Sequence, residues 1–353
     1  MCRALIVPGA AILGLVLLVG PAAAWGPDGH KTVAAIADKL IAGSNAATQV
    51  QSILGTTSLE DAAVWADCAK GVQASNATPP VFTYTGAGRF PECKPFETPQ
   101  GQAEMVDFAQ RNWSNCNPKA GEEVCHKQYH YADISIAHDK YAPTFVGARP
   151  DDVASAISAT IAVLQGQPAP APFSIKDKRE ALLLLVHYVG DIHQPLHVGA
   201  IYLDTAGNRV NPDATPFDPA TDTKGGNDIH LGDGRNLHAT WDAVPAEMTS
   251  GNPLDAAWFD SAKKVSKTSG KIATWPTTWA TGSVKAATKS FKGVTFGPSS
   301  PDHNGVNHWN GTLPSSYDGA MSTAKKKQLT EGGARLAQLL QAIWPSPTAR
   351  RSP

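Results

Sequence analysis

The run His187-Tyr188-Val189-Gly190-Asp191-Ile192-His193-Gln194-Pro195-Leu196-His197 concentrates acid–base and metal-binding side chains behind an apolar stretch, Ala181 to Val186. If that stretch is a buried helix, His187 and Asp191 stand four residues apart and share one face, a turn from each other. Pro195 then breaks or bends the helix and re-aims His197. Buried imidazoles and carboxylates are costly unless they are paired or metal-bound. On this segment alone two chemistries stay open: a His–Asp pair closing a helix end, or metal ligation.

The same residue types recur elsewhere. His238 and Asp242 again stand four apart in Asn236-Leu237-His238-Ala239-Thr240-Trp241-Asp242, a helix start. Asp67 ends Trp65-Ala66-Asp67, His130 opens His130-Tyr131-Ala132-Asp133, and His30 follows Trp25-Gly26-Pro27-Asp28-Gly29. With the α-amine of Trp25, exposed if the leader is removed, the candidate ligands are Trp25, His30, Asp67, His130, His187, Asp191, His197, His238 and Asp242. Imidazole combined with carboxylate suits zinc in an open, catalytic site more than in a closed structural one. Nine ligands exceed the needs of one ion; about three ions with about three protein ligands each fit, provided one carboxylate bridges. An amine with a pKa near ~8 gives up its proton cheaply to a metal.

The elements that must position these groups are helical. Val33, Ile36, Ala37 and Leu40 recur at helical spacing behind Asp28, a plausible cap. Further helices are expected over Ala46–Leu54, Leu59–Cys68, Gly101–Asn112, from Asp151 to about Gln165, and from a Ser174 or Asp177 cap through the central run. Others follow near Ala256–Lys267, Thr274–Phe291 and Ser322–Ile343. On Leu59–Cys68, Asp67 falls in the last turn, where the helix dipole disfavours a carboxylate and hints at a nearby cation. His126–Asp133 alternates and suits a short strand or an extended link, and Ile229–Leu231 a short strand. Two excursions, Ala69–Val124 and Asp204–Lys224, interrupt the pattern. No βαβ alternation or repeat appears, so the expected fold class is all-α, a mostly helical single domain.

Composition narrows the rest. Arg3, the apolar run Ile12–Val19 and Ala22-Ala23-Ala24 outline a signal peptide over residues 1–24, which predicts a secreted or periplasmic protein beginning at Trp25. Residues 25–345 form the expected catalytic domain and 346–353 a flexible tail. A formal net charge of −1 lacks the basic surplus of a duplex-binding protein; bound metal ions could attract phosphates instead. Cys68, Cys93, Cys116 and Cys125 suggest two disulfides, with three pairings open. Asn76-Ala77-Thr78, Asn112-Trp113-Ser114 and Asn310-Gly311-Thr312 are N-glycosylation sequons.

Taken in order, Trp25-Gly26 with His30, Trp65-Ala66-Asp67, His130-Tyr131-Ala132-Asp133, the His187–His197 run, Gly225-Gly226-Asn227 and Leu237-His238 with Trp241-Asp242 resemble the zinc-dependent single-strand nucleases of the S1/P1 family. The resemblance covers nearly all of the chain after the leader. It implies a trinuclear zinc cluster at the bottom of a cleft. Asp67, His130, His187 and Asp191 would hold one Zn2+, Trp25, His30 and the bridging Asp191 a second, and His197, His238 and Asp242 a third. It implies hydrolysis of single-stranded RNA and DNA to 5′-phosphorylated products by a metal-activated water, with 3′-nucleotidase activity, and Asp67 and Asp191 as catalytic carboxylates. Tyr131 would be a base-stacking platform, Asn227 a substrate contact, and Asp133 a residue that orients a ligand. Nucleic acid and nucleotides are the implied partners; a monomer with no membrane contact is expected. His126, His138, His193, His230, His303 and His308 match no ligand position. The Asp67–His130 interval is longer than the family pattern suggests, so disulfide pairings do not carry over.

Two rival readings remain. A zinc phospholipase C would share the fold and most ligands, but with a longer gap from the N-terminal Trp to the first His and a Glu as last carboxylate; here these are Trp25–His30 and Asp242. A non-catalytic exported zinc-binding protein would keep the ligands and admit no substrate.

Overall fold

The computed structural model describes residues 25–119, 121–214, 216–249 and 256–347. The expected leader, residues 1–24, and most of the expected tail lie outside the described residues. Helices dominate: α1 (Pro27–Ile41), α2 (Asn45–Leu54), α3 (Leu59–Ala62), α4 (Trp65–Ala69), α5 (Pro99–Arg111), α6 (Cys125–Gln128), α7 (Val153–Leu164), α8 (Lys178–Asp191), α9 (Leu237–Asp242), α10 (Ala256–Lys263), α11 (Trp275–Ser290) and α12 (Tyr317–Ile343). Small polar side chains start many of them. Ser44, Ser58, Thr98, Asp152, Asp177 and Asn236 each accept a hydrogen bond from a first-turn amide of the helix that follows. α1 is begun by Gly26 with Pro27 at its first position, and Asp28 sits inside the first turn.

The core is built around α8, whose residues Glu180 to Asp191 are all buried. A helix apolar on every side needs neighbours on every side, and α1, α2, α3, α4, α7 and α12 supply them. Strands are short: β1 (Val72–Ala74) pairs antiparallel with β2 (Phe82–Tyr84), and β3 (Ile134–Ser135) parallel with β4 (Gly199–Ala200). β5 (Ile229–Leu231), β6 (Thr295–Pro301) and β7 (Asn307–Thr312) form a sheet in the order β5-β7-β6. Among the described residues no helix is long and apolar enough to cross a membrane.

Three expectations change. The helix expected over Leu59–Cys68 breaks at Ala63–Val64, so Asp67 lies in the first turn of the five-residue α4. In a first turn the helix dipole favours a carboxylate, so the misfit that hinted at a cation is gone, although Lys70 Nζ does lie 2.7 Å from Asp67 Oδ1. The first part of the alternating His126–Asp133 segment is a helical turn, α6, where His126 packs on Trp113 and Phe108 and Tyr129, just after it, bonds Asn112 and Asn115; residues 131–133 are a link without helix or strand. The Ala69–Val124 excursion is tied at both ends by disulfides, Cys68–Cys93 and Cys116–Cys125.

Candidate metal centre

Three of the candidate ligands, His187, His197 and His238, are set by backbone from another segment. The C-terminal end of α8 carries His187 and Asp191. His187 donates its Nδ1–H to Ala63 O at 2.6 Å, at the α3–α4 break, and turns Nε2 inward. A short 3-10 turn, Pro195–His197, follows. His197 donates from Nδ1 to His130 O at 2.8 Å. His238, on α9, donates from Nδ1 to Gly225 O at 3.0 Å. In all three imidazoles the carbonyl fixes the tautomer and leaves Nε2 as the lone-pair nitrogen, as metal-ligating histidines require.

The inward atoms fall into three groups: His30, His187 and Asp191; Asp67, His130 and His187; and His197, His238 and Asp242. Within each group the ligand atoms lie within 4.8 Å of one another. Asp191 is central. Its Oδ2 is 2.9 Å from His130 Nδ1 and 3.2 Å from His187 Nε2, and its Oδ1 is 3.4 Å from His30 Nε2. His30 stacks on His187 with ring centroids 3.9 Å apart. That approach needs Gly190, since a Cβ there would meet His30 Nδ1 at 2.5 Å. Gly225 is required likewise: its φ is +59°, and a Cβ would lie 2.2 Å from Leu196 O. Gln194 joins the two halves by donating from Nε2 to Asp242 Oδ1 at 2.8 Å.

These side chains fit metal ions. His30 Nδ1 and His197 Nε2 are buried with no hydrogen-bond partner, and His30 Nε2 and Asp191 Oδ1 meet only at 3.4 Å. Buried polar atoms so poorly partnered would be costly without a cation. Burial, reinforced by the His187 charge, pushes the His30 pKa down to about 4. Burial pushes His130 and His238 down to about 3, helped at His130 by Lys70 and at His238 by His197. All three are neutral at pH 7 and can donate to a metal. Burial would raise Asp67, but the Lys70 ammonium and the histidines His187, His130 and His30 hold it well below the usual range.

Most candidate ligands are almost fully buried, whereas Asp67 and Lys70 keep 17 % and 18 % of their side-chain surface exposed. The open side of the cluster is therefore theirs. Lys70 has no counterpart in the ligand spacing read from the sequence; the signal was its place three residues after Asp67. Trp25 is buried, and the Gly26 amide donates to Asp242 O at 3.0 Å, so the first described residues dock on the end of α9.

The three remaining candidates are placed as follows. Tyr131 is partly buried, its hydroxyl 3.3 Å from Glu123 Oε2. Asn227 is partly exposed and donates from Nδ2 to Lys224 O at 2.9 Å. Asp133 is buried and belongs to none of the three groups; its carbonyl accepts the Tyr202 hydroxyl at 2.6 Å. Burial, followed by the Asp222 charge, pushes the Asp133 carboxyl well above its ordinary value. None of the six other histidines joins a group among the described residues. His193 points away, bonding Val189 O through Nδ1 and Arg335 through Nε2.

Known proteins are similar to this chain over much of its length. Nuclease PA3 of a Penicillium species is 26 % identical over 92 % of this chain and 100 % of its own length. Nuclease P1 of Penicillium citrinum is 26 % identical over 66 % of this chain and 63 % of its own. Endonuclease 1 of Arabidopsis thaliana is 28 % identical over 47 % of this chain, and that match spans only half of the plant protein. The S1/P1 Nuclease family model matches residues 25–345, the span that holds every buried His–Asp group described above. The chain therefore belongs to the S1/P1 nuclease family, a family of metal-dependent hydrolytic nucleases.

Proposed function

We propose that the protein is a zinc-dependent endonuclease of single-stranded RNA and DNA that leaves 5′-phosphorylated products and also removes 3′-phosphates from nucleotides. The observation that carries this reading is the set of imidazoles at His187, His197 and His238. Each has Nδ1 committed to a backbone carbonyl and Nε2 directed at a carboxylate-bearing group. Neutral imidazole with carboxylate is a donor set suited to zinc. Asp67, His130, His187 and Asp191 would hold one ion; His30, Asp191 and the terminal amine and carbonyl of Trp25 a second; His197, His238 and Asp242 a third. When bound, the ions supply Lewis acidity and a water that ionises near neutral pH.

The chain's own groups do the positioning. Asp191 lies between the first two groups and orients both. Burial holds His30, His130, His197 and His238 below the ordinary histidine value, whereas at His187 the Asp191 and Asp67 carboxylates outweigh burial and raise it. At the open side, Lys70 offers an ammonium beside Asp67 Oδ1, where a phosphate oxygen of the substrate would enter. Preference for single strands follows from depth, because a stiff duplex cannot bring a phosphodiester down to buried groups, whereas a splayed strand can. Tyr131 and Asn227 are then the proposed stacking and polar contacts.

The purified protein, with Trp25 as first residue, is incubated with single-stranded DNA, RNA, duplex DNA, a 3′-mononucleotide and phosphatidylcholine, with and without chelator. Chelator-sensitive release of 5′-phosphorylated products from single strands, and of phosphate from the mononucleotide, is expected. Release from phosphatidylcholine alone would establish the lipase reading, and no release from any substrate would establish a non-catalytic protein.

A further inference from the structure

One face of α12 is polar where it enters the core. Tyr317, Lys325, Gln328 and Arg335 recur at helical spacing on one stripe. Each reaches a segment that carries candidate ligands, or the turn beside it. Tyr317 Oη accepts the Trp241 indole N–H at 2.8 Å and donates to Ser290 O at 2.6 Å. Gln328 Nε2 donates to His193 O at 3.2 Å, and Arg335 Nη1 donates to His193 Nε2 at 2.9 Å. Lys325, 4 % exposed, donates from Nζ to Thr240 O at 2.6 Å and also to Ala243 O.

The Lys325 contacts are the informative ones. α9 has six residues, too few to hold itself as a helix in isolation. The last carbonyls of any helix lack partners within it, and a cation there complements the helix dipole. Here Lys325 takes two of the carbonyls around the end of α9, while the Gly26 amide takes the Asp242 carbonyl. Asp242 is thus bracketed on both sides of its own backbone. Its Oδ1 stands 3.7 Å from His238 Nε2, and Gln194 fixes it from across the site. An apolar side chain could fill this place in the α12 interface without the desolvation penalty of an ammonium. The buried charge therefore needs a reason, and the carbonyls it organises belong to the turn that ends in Asp242.

We propose that Lys325 is a positioning residue for the His197–His238–Asp242 group, tying the last turn of α9 to α12 so that the Asp242 carboxylate is held at ligating distance from the two imidazoles. This rests on the three-ion reading. The test uses the full chain starting at Trp25, loaded with zinc and dialysed, as wild type, Lys325→Met, Lys325→Gln and Lys325→Arg. Zinc per chain is measured by mass spectrometry, zinc affinity by competition with a chromophoric chelator, and melting temperature with and without excess chelator.

Wild type is expected to hold three zincs. Lys325→Met is expected to keep two and to bind the third about 10–100-fold more weakly, the range for loss of a group that orients a ligand. Its zinc-dependent rise in melting temperature shrinks accordingly, and Lys325→Arg, which keeps charge and donors, restores the third ion. If Lys325→Met does not fold, Lys325→Gln, which can still bond one carbonyl, decides. A wild-type third-zinc affinity in the folded variant, even with a lower melting temperature after chelation, overturns the proposal and leaves Lys325 a packing residue. Loss of all the zincs together overturns it too. Fewer than three zincs in the wild type would instead refute the three-ion reading, and that result appears before any variant is compared.

Discussion

Replacing Asp191 by Asn tests the centre of the cluster with almost no change of shape. The Asp191 carboxylate is fully buried and faces His130 Nδ1 at 2.9 Å, His187 Nε2 at 3.2 Å and His30 Nε2 at 3.4 Å. In the chelated protein the substitution removes charge-assisted hydrogen bonds worth ~1.5–3 kcal/mol each. Unpairing one partner of a buried charged pair costs ~3–5 kcal/mol. Asn keeps one acceptor oxygen, so the low end applies, about 3 kcal/mol. At about 2 °C per kcal/mol for a large domain, the chelated variant should melt about 6 °C lower. With zinc the loss is greater, because two of the proposed ions share this carboxylate. Hydrolysis of a single-stranded oligonucleotide should fall at least ~10⁴-fold, about 5.5 kcal/mol of transition-state stabilisation. Zinc content, melting with and without chelator, and initial rates are measured on the same preparation. A variant that keeps the wild-type zinc content and hydrolyses within tenfold of wild type would refute the bridging role.

Acid should destabilise the chelated protein early. His30, His130 and His238 sit near about 4, 3 and 3 when folded against 6.5 unfolded, so the unfolded chain binds more protons between these values; their contribution is complete above about pH 6.5 and is lost as pH falls toward 3. Urea midpoints that stay flat from pH 7 to about 4.5 would contradict this. Removing the Cys68–Cys93 disulfide, which spans 25 residues next to Asp67, should cost about 3 kcal/mol and weaken zinc at the Asp67 group more than at the His197 group; removing Cys116–Cys125, which spans 9, should cost less. One extra residue before Trp25 should lower zinc content and activity, and a fully active extended form would exclude the amine as a ligand. The KM for a single-stranded oligonucleotide should depend only shallowly on salt, and Lys70→Met should reduce the log–log slope by about 0.7, the value for one phosphate contact on a single strand.

The site was more legible in the sequence than the fold around it. His187, Asp191, His197, His238 and Asp242 are brought into groups by short spacings on helix ends, which a periodicity argument reaches directly. The break between α3 and α4 was not reachable, because Leu59–Cys68 has the pattern of one helix. At the kink Ala63 O accepts the His187 Nδ1–H, from more than a hundred residues away, a contact that helical spacing does not reveal. The β6–β7 hairpin was also missed: Gly297, Pro298 and Pro301 discourage strand, and the pairing with β5 that stabilises it is tertiary. The Asn112 sequon is a pattern that the fold closes off. Its side chain is fully buried, and its amide nitrogen is spent on Phe108 O and Ser174 O, so no glycan could attach to the folded chain there.

The hydrogen bonds behind the imidazoles explain why ligands so far apart in sequence can act together. His187 is aimed by Ala63, which leads into the turn bearing Asp67; His197 is aimed by the carbonyl of His130, another candidate ligand; His238 is aimed by Gly225, two residues before Asn227. Gln194, inside the first ligand run, holds Asp242 in the last. Each group is thus oriented by the backbone of a neighbouring segment, not only by its own helix. Displacing one segment should misdirect a ligand on another. The physical consequence is preorganisation: rotamers and tautomers are selected by folding itself, so little ordering remains to be done when ions bind. It also accounts for the concentration of special backbone here. Gly190 admits the His30 ring, and Gly225 takes a left-handed conformation against Leu196 to present the carbonyl that His238 needs.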